Sequence, residues 1–267
     1  MAGISRGNGN TRVRPVVWIT GASTGIGAAL AREMARQGYV VAASARKISE
    51  LKTLESDAAR LKGAIRAYPC DVEDRLGMQL THDNIVRELG PISIAIFNAG
   101  VYLPLDGRKI DSALFRKSFD VNVMGVVHGL EAVIPPMVAR QSGRIVIVSS
   151  VTGYGGLPTS SAYGATKAAL INMAESLKFD LDKAKVGIQV VNPGFVKTPA
   201  TDSNEFKMPF IVSAEKAARR IMRGIRKGHF EITFPRRFTF MLKFLQLLPY
   251  RAYFALTRKM TGANKDA

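Results

Sequence analysis

Short apolar runs that alternate with helical segments constrain the fold of this chain more than any other feature. The runs are bounded by turn residues and rich in β-branched side chains, as buried strands of a parallel sheet are. They cover residues 16–20, 40–44, 64–70, 92–97, 145–148 and 187–191, with helical segments at 28–37, 49–61, 74–88 and 112–130. Residues 134–140 either continue the last of these helical segments or follow it after a break at Pro135-Pro136. Because parallel strands need helical crossovers, the alternation predicts an α/β fold with a doubly wound parallel sheet.

The length of 267 residues fits one large α/β domain. We expect a flexible N-terminal tail over residues 1–14, the sheet domain over 15–235, and a helical C-terminal extension over 236–267. The tail lacks the apolar core of a secretory signal, and no run of 18 uninterrupted apolar residues indicates a transmembrane helix. The single cysteine, Cys70, cannot form an internal disulfide, which favours a cytoplasmic location.

A glycine-rich loop joins the first predicted strand directly to the first predicted helix. It reads Gly21-Ala-Ser-Thr-Gly-Ile-Gly27. Glycines let a backbone approach a pyrophosphate closely, and the helix that follows offers free N–H groups to the anion. The spacing is G-x-x-x-G-x-G rather than the commoner G-x-G-x-x-G, but its context between strand and helix predicts a dinucleotide site.

The end of the second predicted strand indicates which dinucleotide binds. An acidic residue usually stands there to accept a hydrogen bond from the ribose of NAD, but Ala45 is followed here by Arg46 and Lys47. A guanidinium binds a 2′-phosphate well, so NADP is favoured over NAD. Alternatively, Lys47 merely begins a solvated helix.

Ser150, Tyr163 and Lys167 follow the strand at 145–148 and form the candidate reactive group. A helix would stack Tyr163 and Lys167, four residues apart, on one face. A phenol near an ammonium loses its proton more easily, which suits acid/base work on an alcohol oxygen. Ser150, at the carboxyl end of the strand, would hold the same oxygen by a hydrogen bond.

Taken together, these motifs resemble the short-chain dehydrogenase/reductase family, of the NADP-preferring type, from residue 16 to about 235. Besides the glycine loop, the matching pieces are Asp71-Val72, Asn98-Ala-Gly100, Asn122, Ser150, Tyr163-x-x-x-Lys167 and Pro193-Gly194 with Thr198. The resemblance implies a single Rossmann-like domain. It also implies a carbonyl–alcohol oxidoreductase.

The resemblance implies roles for these residues. Tyr163 would be the acid/base, Ser150 would orient the substrate carbonyl, Lys167 would lower the tyrosine pKa and bind the nicotinamide ribose, and Asn122 would anchor a water linking Lys167 to solvent. Ser149 competes for the serine role, although the spacing to Tyr163 favours Ser150. The expected cofactor-binding residues are Gly21, Ser23, Thr24, Gly25, Ile26, Gly27, Arg46, Asp71, Val72, Asn98, Gly100, Tyr163, Lys167, Pro193, Gly194, Val196 and Thr198.

The family analogy places the substrate among apolar residues. The expected walls are Tyr102, Leu103, Tyr154 and Leu157, covered by a lid over residues 200–212 with Phe206, Met208 and Phe210 facing in. These residues predict a hydrophobic ketone or alcohol, although the lid residues could equally be core. No metal site is expected, since His82, His128 and His229 lack ligand spacing.

Positive charge is concentrated toward the C-terminus. The net charge is +17, and residues 216–267 contain 13 Lys/Arg against two acids. Nucleotide phosphates, acidic lipid or an acidic carrier protein are plausible partners, but nucleic acid is not, because no recognition module is visible. Residues 238–260 predict two amphipathic helices broken at Pro249. They would pack on their own or a partner subunit, contact a membrane peripherally, or cap the substrate entrance.

The leading function is thus NADP(H)-dependent interconversion of a carbonyl and an alcohol on a hydrophobic substrate, by a homodimer or homotetramer. A 3-oxoacyl-carrier-protein reductase of fatty-acid or polyketide synthesis is the alternative, favoured by the basic surface. A cofactor-binding scaffold or redox sensor is the alternative without catalysis.

Overall fold

The computed structural model describes residues 14–199, 201, 208 and 210–261. Its strands are β1 (Val16–Thr20), β2 (Val40–Ser44), β3 (Ala64–Ala67), β4 (Ile92–Phe97), β5 (Arg144–Val148), β6 (Gly187–Pro193), β7 (Val196–Lys197), β8 (Val212–Ser213) and β9 (Glu231–Phe234). Seven of them form a parallel sheet in the order β3-β2-β1-β4-β5-β6-β9, and β7 and β8 form a small separate pair. The predicted doubly wound α/β fold is confirmed.

Helices cover both faces of the sheet. They are α1 (Gly25–Arg36), α2 (Ile48–Asp57), α3 (Arg75–Leu89), α4 (Ser112–Phe119), α5 (Gly125–Ala139), α6 (Ser161–Lys183), α7 (Ala214–Lys227), α8 (Arg236–Leu245) and α9 (Tyr250–Thr261). One apolar core joins the sheet to α1, α2 and α7, and a second joins it to α3, α5 and α6. Strands buried from both sides explain the nearly continuous apolar runs in the sequence.

The order of the strands reverses at β1. This strand pairs with β2 on one side and with β4 on the other, so the chain crosses over between the two halves of the sheet. The crossovers leave a crevice outside the carboxyl ends of these strands, where open α/β sheets bind their ligands. The glycine loop and Asn98 both lie at this edge.

The helix that crosses Pro135 and Pro136 decides between the two alternatives that the sequence left open. It does not break there, since α5 runs through both prolines to Ala139. Each proline removes a helix hydrogen bond, but Ala132, Val133 and Met137 are buried against the sheet. This packing holds the segment helical in spite of the local cost.

The region between β6 and α8 contains elements that the sequence reading did not assign. Helix α7 buries Ala217, Ala218, Ile221, Met222 and Ile225 at helical spacing, and β9 adds a strand to the sheet edge. The apolar positions of α7 have a helical period in the sequence, but arginines and lysines stand between them.

Helices α4 and α5 are joined by a π turn at Asp120–Met124, so the segment Ser112–Ala139 is continuously helical. By length and composition this 28-residue segment could cross a membrane. Half of its apolar window is buried inside the fold, and Asn122 is fully buried within it. The segment is therefore a weak indication of a membrane span, because a buried core helix has the same composition.

The C-terminal extension packs on the sheet domain as two helices separated at Pro249, as the sequence predicts. Phe238, Leu242, Leu245 and Tyr253 form a third apolar cluster with Val151. Two other predicted segments fall largely outside the described residues: the tail at 1–14 except Arg14, and most of the lid, including Phe206.

Candidate active site

Ser150 and Tyr163 meet at the carboxyl end of β5. Ser150 precedes a short 3-10 turn and accepts a hydrogen bond from the Thr152 amide at 3.2 Å. Tyr163 lies in the first turn of α6 and hydrogen-bonds with Ser150. The neighbouring Ser149 hydroxyl donates to the Lys167 carbonyl oxygen at 2.8 Å, which directs it into the helix. The geometry thus favours Ser150 over Ser149 for contact with a substrate oxygen.

Lys167 lies one helical turn after Tyr163, with only 4% of its surface exposed. Its Nζ is 5.4 Å from the centroid of the Tyr163 ring and donates to the Val148 carbonyl oxygen at 3.0 Å. Burial lowers the Lys167 pKa to about 8, because a charged ammonium is poorly solvated there.

The Tyr163 pKa differs from the expectation that Lys167 lowers it. Burial raises this pKa to about 12, and the hydrogen bond with Ser150 opposes the rise. The Tyr102 ring packs edge-on against Tyr163 at 5.1 Å between centroids and contributes to the desolvated surroundings. Tyr163 therefore holds its proton at neutral pH, because burial disfavours the charged phenolate.

Asn122 organises the backbone beside this group. Its Oδ1 accepts from the Val101 amide at 2.7 Å, and its Nδ2 donates to the Val101 carbonyl at 3.0 Å and to Thr166 Oγ1 at 3.1 Å. Thr166 Oγ1 in turn donates to the Tyr163 carbonyl oxygen at 2.7 Å. Asn122 thus ties the loop after β4 to the helix that holds Tyr163. The predicted water link from Asn122 to Lys167 stays a prediction.

The glycine loop forms a cradle without side chains at the end of β1. Gly21 and Gly25 have φ values of +64° and +54°, which favour glycine. A Cβ on Gly27 would overlap the Gly21 carbonyl oxygen and lie 2.6 Å from Asn98 Nδ2. That amide holds the loop by donating to the carbonyls of Thr20 and Gly21 at 3.2 and 3.0 Å.

Helix α1 begins at Gly25, directly after this cradle, with Ile26 and Gly27 in its first turn. Its N-cap residue Thr24 makes no side-chain capping bond, so the first N–H groups of the helix are left for an anion. Close backbone approach and unpaired donors are what a dinucleotide pyrophosphate requires. The glycine loop and the start of α1 therefore fit the dinucleotide cofactor that the glycine motif predicts.

The site for the adenosine end contains a carboxylate that the sequence reading missed. Arg46 is exposed at the end of β2, and Lys47 pairs with Glu50 at 3.3 Å. Hydrogen bonds from Ser23 and then Lys47 lower the Glu50 pKa. Because Ser23 belongs to the glycine loop, Glu50 lies near the predicted ribose position. Glu50 was not predicted as a site residue, because it follows the end of β2 by a turn of helix rather than directly.

Other residues predicted for the cofactor lie along the same edge of the sheet. Asp71 Oδ1 accepts from the Glu73 amide at 3.1 Å, and the Val72 carbonyl contacts His128 Nδ1 at 2.8 Å. A Cβ on Gly100 would lie 3.1 Å from Asn122 Oδ1 and 3.6 Å from Lys167 Nζ. Gly100 thus leaves open the space beside Asn122 and Lys167, which a larger side chain would occupy.

The predicted nicotinamide segment closes over the glycine loop. Pro193 ends β6, Gly194 follows it, and Val196 is buried in β7. A Cβ on Gly25 would lie 3.0 Å from Thr198 Cγ2, so Thr198 faces the first turn of α1. The Thr198 amide donates to Thr201 Oγ1 at 3.0 Å, which fixes this turn.

The predicted substrate walls are only partly brought together. The Tyr102 ring contacts the Tyr163 ring. Leu103, which directly follows Tyr102 in the chain, is partly exposed, and so is Leu157. Of the lid residues, Met208 is partly exposed, and Phe210 is 55% exposed and packs against Phe238. Phe210 therefore does not face inward as expected, because the extension provides a competing apolar surface.

Tyr154 is held away from solvent by a network around Glu231. The Glu231 carboxylate accepts from Tyr154 and from Asn192 Nδ2 at 2.9 Å, and pairs with Lys243. Burial raises the Glu231 pKa, but the donors outweigh it and hold the pKa below its usual value. This network joins the Ser150 loop to α8, and no periodic pattern in the sequence indicates it.

No candidate metal site is found in the described part of the chain. No group of three or more His, Cys, Asp or Glu side chains is arranged there to hold an ion.

Known proteins resemble this chain in both sequence and fold. An uncharacterised oxidoreductase of Myxococcus xanthus is 33% identical over 242 residues, covering 91% of this chain and 96% of that protein. Epidermal retinol dehydrogenase 2 of Mus musculus is 32% identical over 270 residues, covering 94% and 86%. The 3-oxoacyl-[acyl-carrier-protein] reductase of Thermotoga maritima is 31% identical over 215 residues, covering 80% and 84%.

Two solved structures share the fold at 24% sequence identity. A short chain dehydrogenase/reductase from Burkholderia phymatum in complex with NAD has a TM-score of 0.79, covering 86% of this chain and 92% of that one. A short-chain dehydrogenase from Sphingobium yanoikuyae in complex with NADPH has a TM-score of 0.75, covering 95% and 96%. The family described as short chain dehydrogenase matches residues 15–208. With that match and relatives above 30% identity, the chain belongs to the short-chain dehydrogenase family of oxidoreductases, which act on alcohols and carbonyls.

Proposed function

We propose that this protein is an NADP(H)-dependent oxidoreductase that interconverts a hydrophobic ketone and its alcohol, with Tyr163 as the acid/base. The observation that carries the proposal is the Tyr163 phenol, hydrogen-bonded with Ser150 and one helical turn from the buried Lys167. The group lies at the edge of the sheet that also holds the glycine cradle. Acid/base and nucleotide-binding parts therefore share one crevice.

In carbonyl reduction, Tyr163 donates its proton to the substrate oxygen. Its pKa of about 12 keeps the phenol protonated at neutral pH, which suits this direction. The Ser150 hydroxyl donates a hydrogen bond to the same oxygen, while its Oγ accepts from the Thr152 amide. Lys167, charged below about pH 8, stabilises the phenolate that remains. A bound nicotinamide cofactor supplies or accepts the hydride.

The preference for NADP over NAD is proposed from Arg46. Its exposed guanidinium follows β2 with no carboxylate directly beside it, and it suits a 2′-phosphate. Glu50 opposes this preference, because its carboxylate would repel a phosphate and accept from a free hydroxyl. The Sphingobium and Burkholderia proteins carry NADPH and NAD respectively, so their shared fold accommodates either.

The hydrophobic substrate is proposed from Tyr102, which packs on Tyr163 beside the partly exposed Leu103. The similarity to a protein named as a retinol dehydrogenase supports an apolar alcohol or carbonyl. The alternative is a 3-oxoacyl-carrier-protein reductase. A net charge of +17 would attract an acidic carrier, and the Thermotoga relative bears that name.

The decisive experiment follows NADPH absorbance over a panel of apolar ketones, carrier-bound 3-oxoacyl groups and alcohols, with NADH in parallel. Fast turnover of carrier-free ketones without a salt effect supports the leading proposal. A rate that needs the carrier and falls steeply with salt supports the alternative. Turnover of nothing on the panel, with NADPH still bound, would favour a binding role instead.

We also propose a homodimer or homotetramer, as expected from the resemblance. Sedimentation analysis of the purified chain tests this directly. A monomer across the working concentration range would contradict it.

A further inference from the structure

The C-terminal extension has two opposite faces. Its inner face, with Leu242, Leu245 and Tyr253 buried, packs on the loop after Ser150, and the Tyr253 hydroxyl donates to the Gly156 carbonyl at 2.7 Å. Its outer face carries large apolar side chains in contact with solvent. Their exposed fractions are 62% for Phe240, 60% for Phe244, 81% for Leu247, 80% for Tyr250 and 49% for Phe254.

These exposed residues form a continuous path along the two helices. On α8, Phe240 and Phe244 are one helical turn apart, and Leu247 follows in the turn after the helix. On α9, Tyr250 and Phe254 are one turn apart, and their rings stack at 6.0 Å between centroids. Only Leu248 and Pro249 separate Leu247 from Tyr250, so the two stripes join at the bend. We call Phe240, Phe244, Leu247, Tyr250 and Phe254 the outer stripe.

Positive charge accompanies the outer stripe. Residues 236–261 contain six Arg/Lys and no acid. Among the described residues, the ion pair of this segment is that of Lys243 with Glu231, so its other cations are available to an anionic partner. They are Arg236, Arg237, Arg251, Arg258 and Lys259.

From this combination we infer that the extension docks on an anionic lipid surface, independently of the proposed reaction. Exposed aromatic and aliphatic side chains on amphipathic helices insert at the boundary between headgroups and acyl chains. Each Lys or Arg near an anionic membrane adds to the attraction.

A second copy of the chain fits this surface less well. Symmetric pairing would bring the cations of one extension against those of the other, and the cores of protein interfaces are depleted in charge. A lipid surface meets both the apolar stripe and the cations. It would also place the membrane next to the loop that follows Ser150.

Vesicle co-sedimentation of the full chain tests the inference without any turnover. We expect binding to vesicles of about 30% phosphatidylserine in phosphatidylcholine, and much weaker binding to pure phosphatidylcholine. Raising salt from about 0.1 to about 1 M should weaken binding, because the screening length falls from about 10 to about 3 Å. Failure to bind either vesicle overturns the inference.

Two variants assign the binding to the outer stripe. Phe244→Ser combined with Leu247→Ser should weaken vesicle binding at least about tenfold with an unchanged melting temperature, because both side chains are exposed. Phe179→Ser removes another phenylalanine, 75% exposed on α6, and should leave binding unchanged. Equal loss in both variants overturns the inference. So does a double variant that changes the oligomer but not vesicle binding, since the stripe would then be a protein interface.

Discussion

At the scale of single residues, the proposed role of Tyr163 as the proton donor can be tested directly. We expect Tyr163→Phe to lower turnover by at least about 100-fold, the usual scale for removing a general acid. Cofactor affinity should change little, because the ring remains. Tyr39→Phe is the matched control, since Tyr39 directly precedes β2, at the amino end of the strands and away from the reactive group. Steady-state rates and cofactor titrations measure both. Near-normal turnover in Tyr163→Phe would mean that the proton comes from elsewhere.

Arg46 decides the choice of cofactor if it meets a 2′-phosphate. Arg46→Ala should weaken NADPH binding roughly 10- to 100-fold, because a charge-assisted hydrogen bond contributes about 1.5–3 kcal/mol. Lys47 can supply a second cation, which favours the lower end of this range. NADH binding should hardly move.

Glu50→Gln is the opposing variant and should favour NADPH, since it removes a carboxylate near the predicted ribose position. Dissociation constants for both cofactors, measured for each variant, decide the matter. Equal weakening of the two by Arg46→Ala would make Arg46 structural. A wild type that prefers NADH would contradict the proposed preference.

We expect the buried ammonium of Lys167 to lower the free energy of unfolding at neutral pH. Its pKa falls from 10.5 to about 8 on folding, so the unfolded chain binds more protons between these values and stability rises with pH there. Below about pH 8 the penalty is about 3 kcal/mol. Lys167→Met removes it but leaves the Val148 carbonyl without its donor, at a cost of about 1 kcal/mol.

We therefore expect Lys167→Met to stabilise the protein by about 2 kcal/mol at pH 7 and by almost nothing at pH 10, while turnover falls. Urea unfolding at both pH values measures this. Lys178→Met, an exposed change on the same helix, should shift stability by less than about 0.5 kcal/mol at either pH. A gain that does not depend on pH would show that burial of the charge is not its cause.

At the scale of elements, the glycine loop depends on close backbone packing. Gly27→Ala should destabilise the fold by about 1–3 kcal/mol and weaken dinucleotide binding, because the new Cβ overlaps the Gly21 carbonyl and crowds Asn98. Gly107→Ala, where a Cβ meets nothing within 4 Å, is the control. Thermal unfolding and cofactor titration measure both effects. Unchanged binding in Gly27→Ala would contradict the cradle.

Strands with an unbroken apolar run were predictable, and elements set by distant contacts were not. The strands at 16–20, 40–44 and 92–97 appear with the predicted bounds, because buried parallel strands leave an unbroken apolar run. The continuation of α5 through Pro135 and Pro136 was not predictable, since Ala132, Val133 and Met137 are buried by residues far along the chain.

In the candidate site, too, features set by local sequence were predictable and features set by distant contacts were not. Ser150, Tyr163 and Lys167 could be placed together because a strand end and a helix turn fix their positions locally. The raised Tyr163 pKa and the Glu231 network depend on which surfaces the fold presses together, so local sequence gave no signal for either.

At the scale of the whole molecule, the extension should unfold together with the sheet domain. Leu242 is buried in the cluster with Val151, so Leu242→Ala should cost about 2–5 kcal/mol. Phe244→Ala, on the exposed face of the same helix, should cost less than about 0.5 kcal/mol.

Trp18 reports on the central sheet, away from the extension. It is the single tryptophan, 1% exposed on β1, with its ring against Phe97 and its Nε1 donating to Ser44 at 2.9 Å. If the chain is one cooperative unit, Leu242→Ala lowers the urea midpoint followed by Trp18 fluorescence as much as the one followed by circular dichroism. A Trp18 midpoint that stays in place while the helical signal shifts would mean that the extension unfolds separately. The cluster with Val151 would then hold the extension against the sheet domain without being part of its cooperative core.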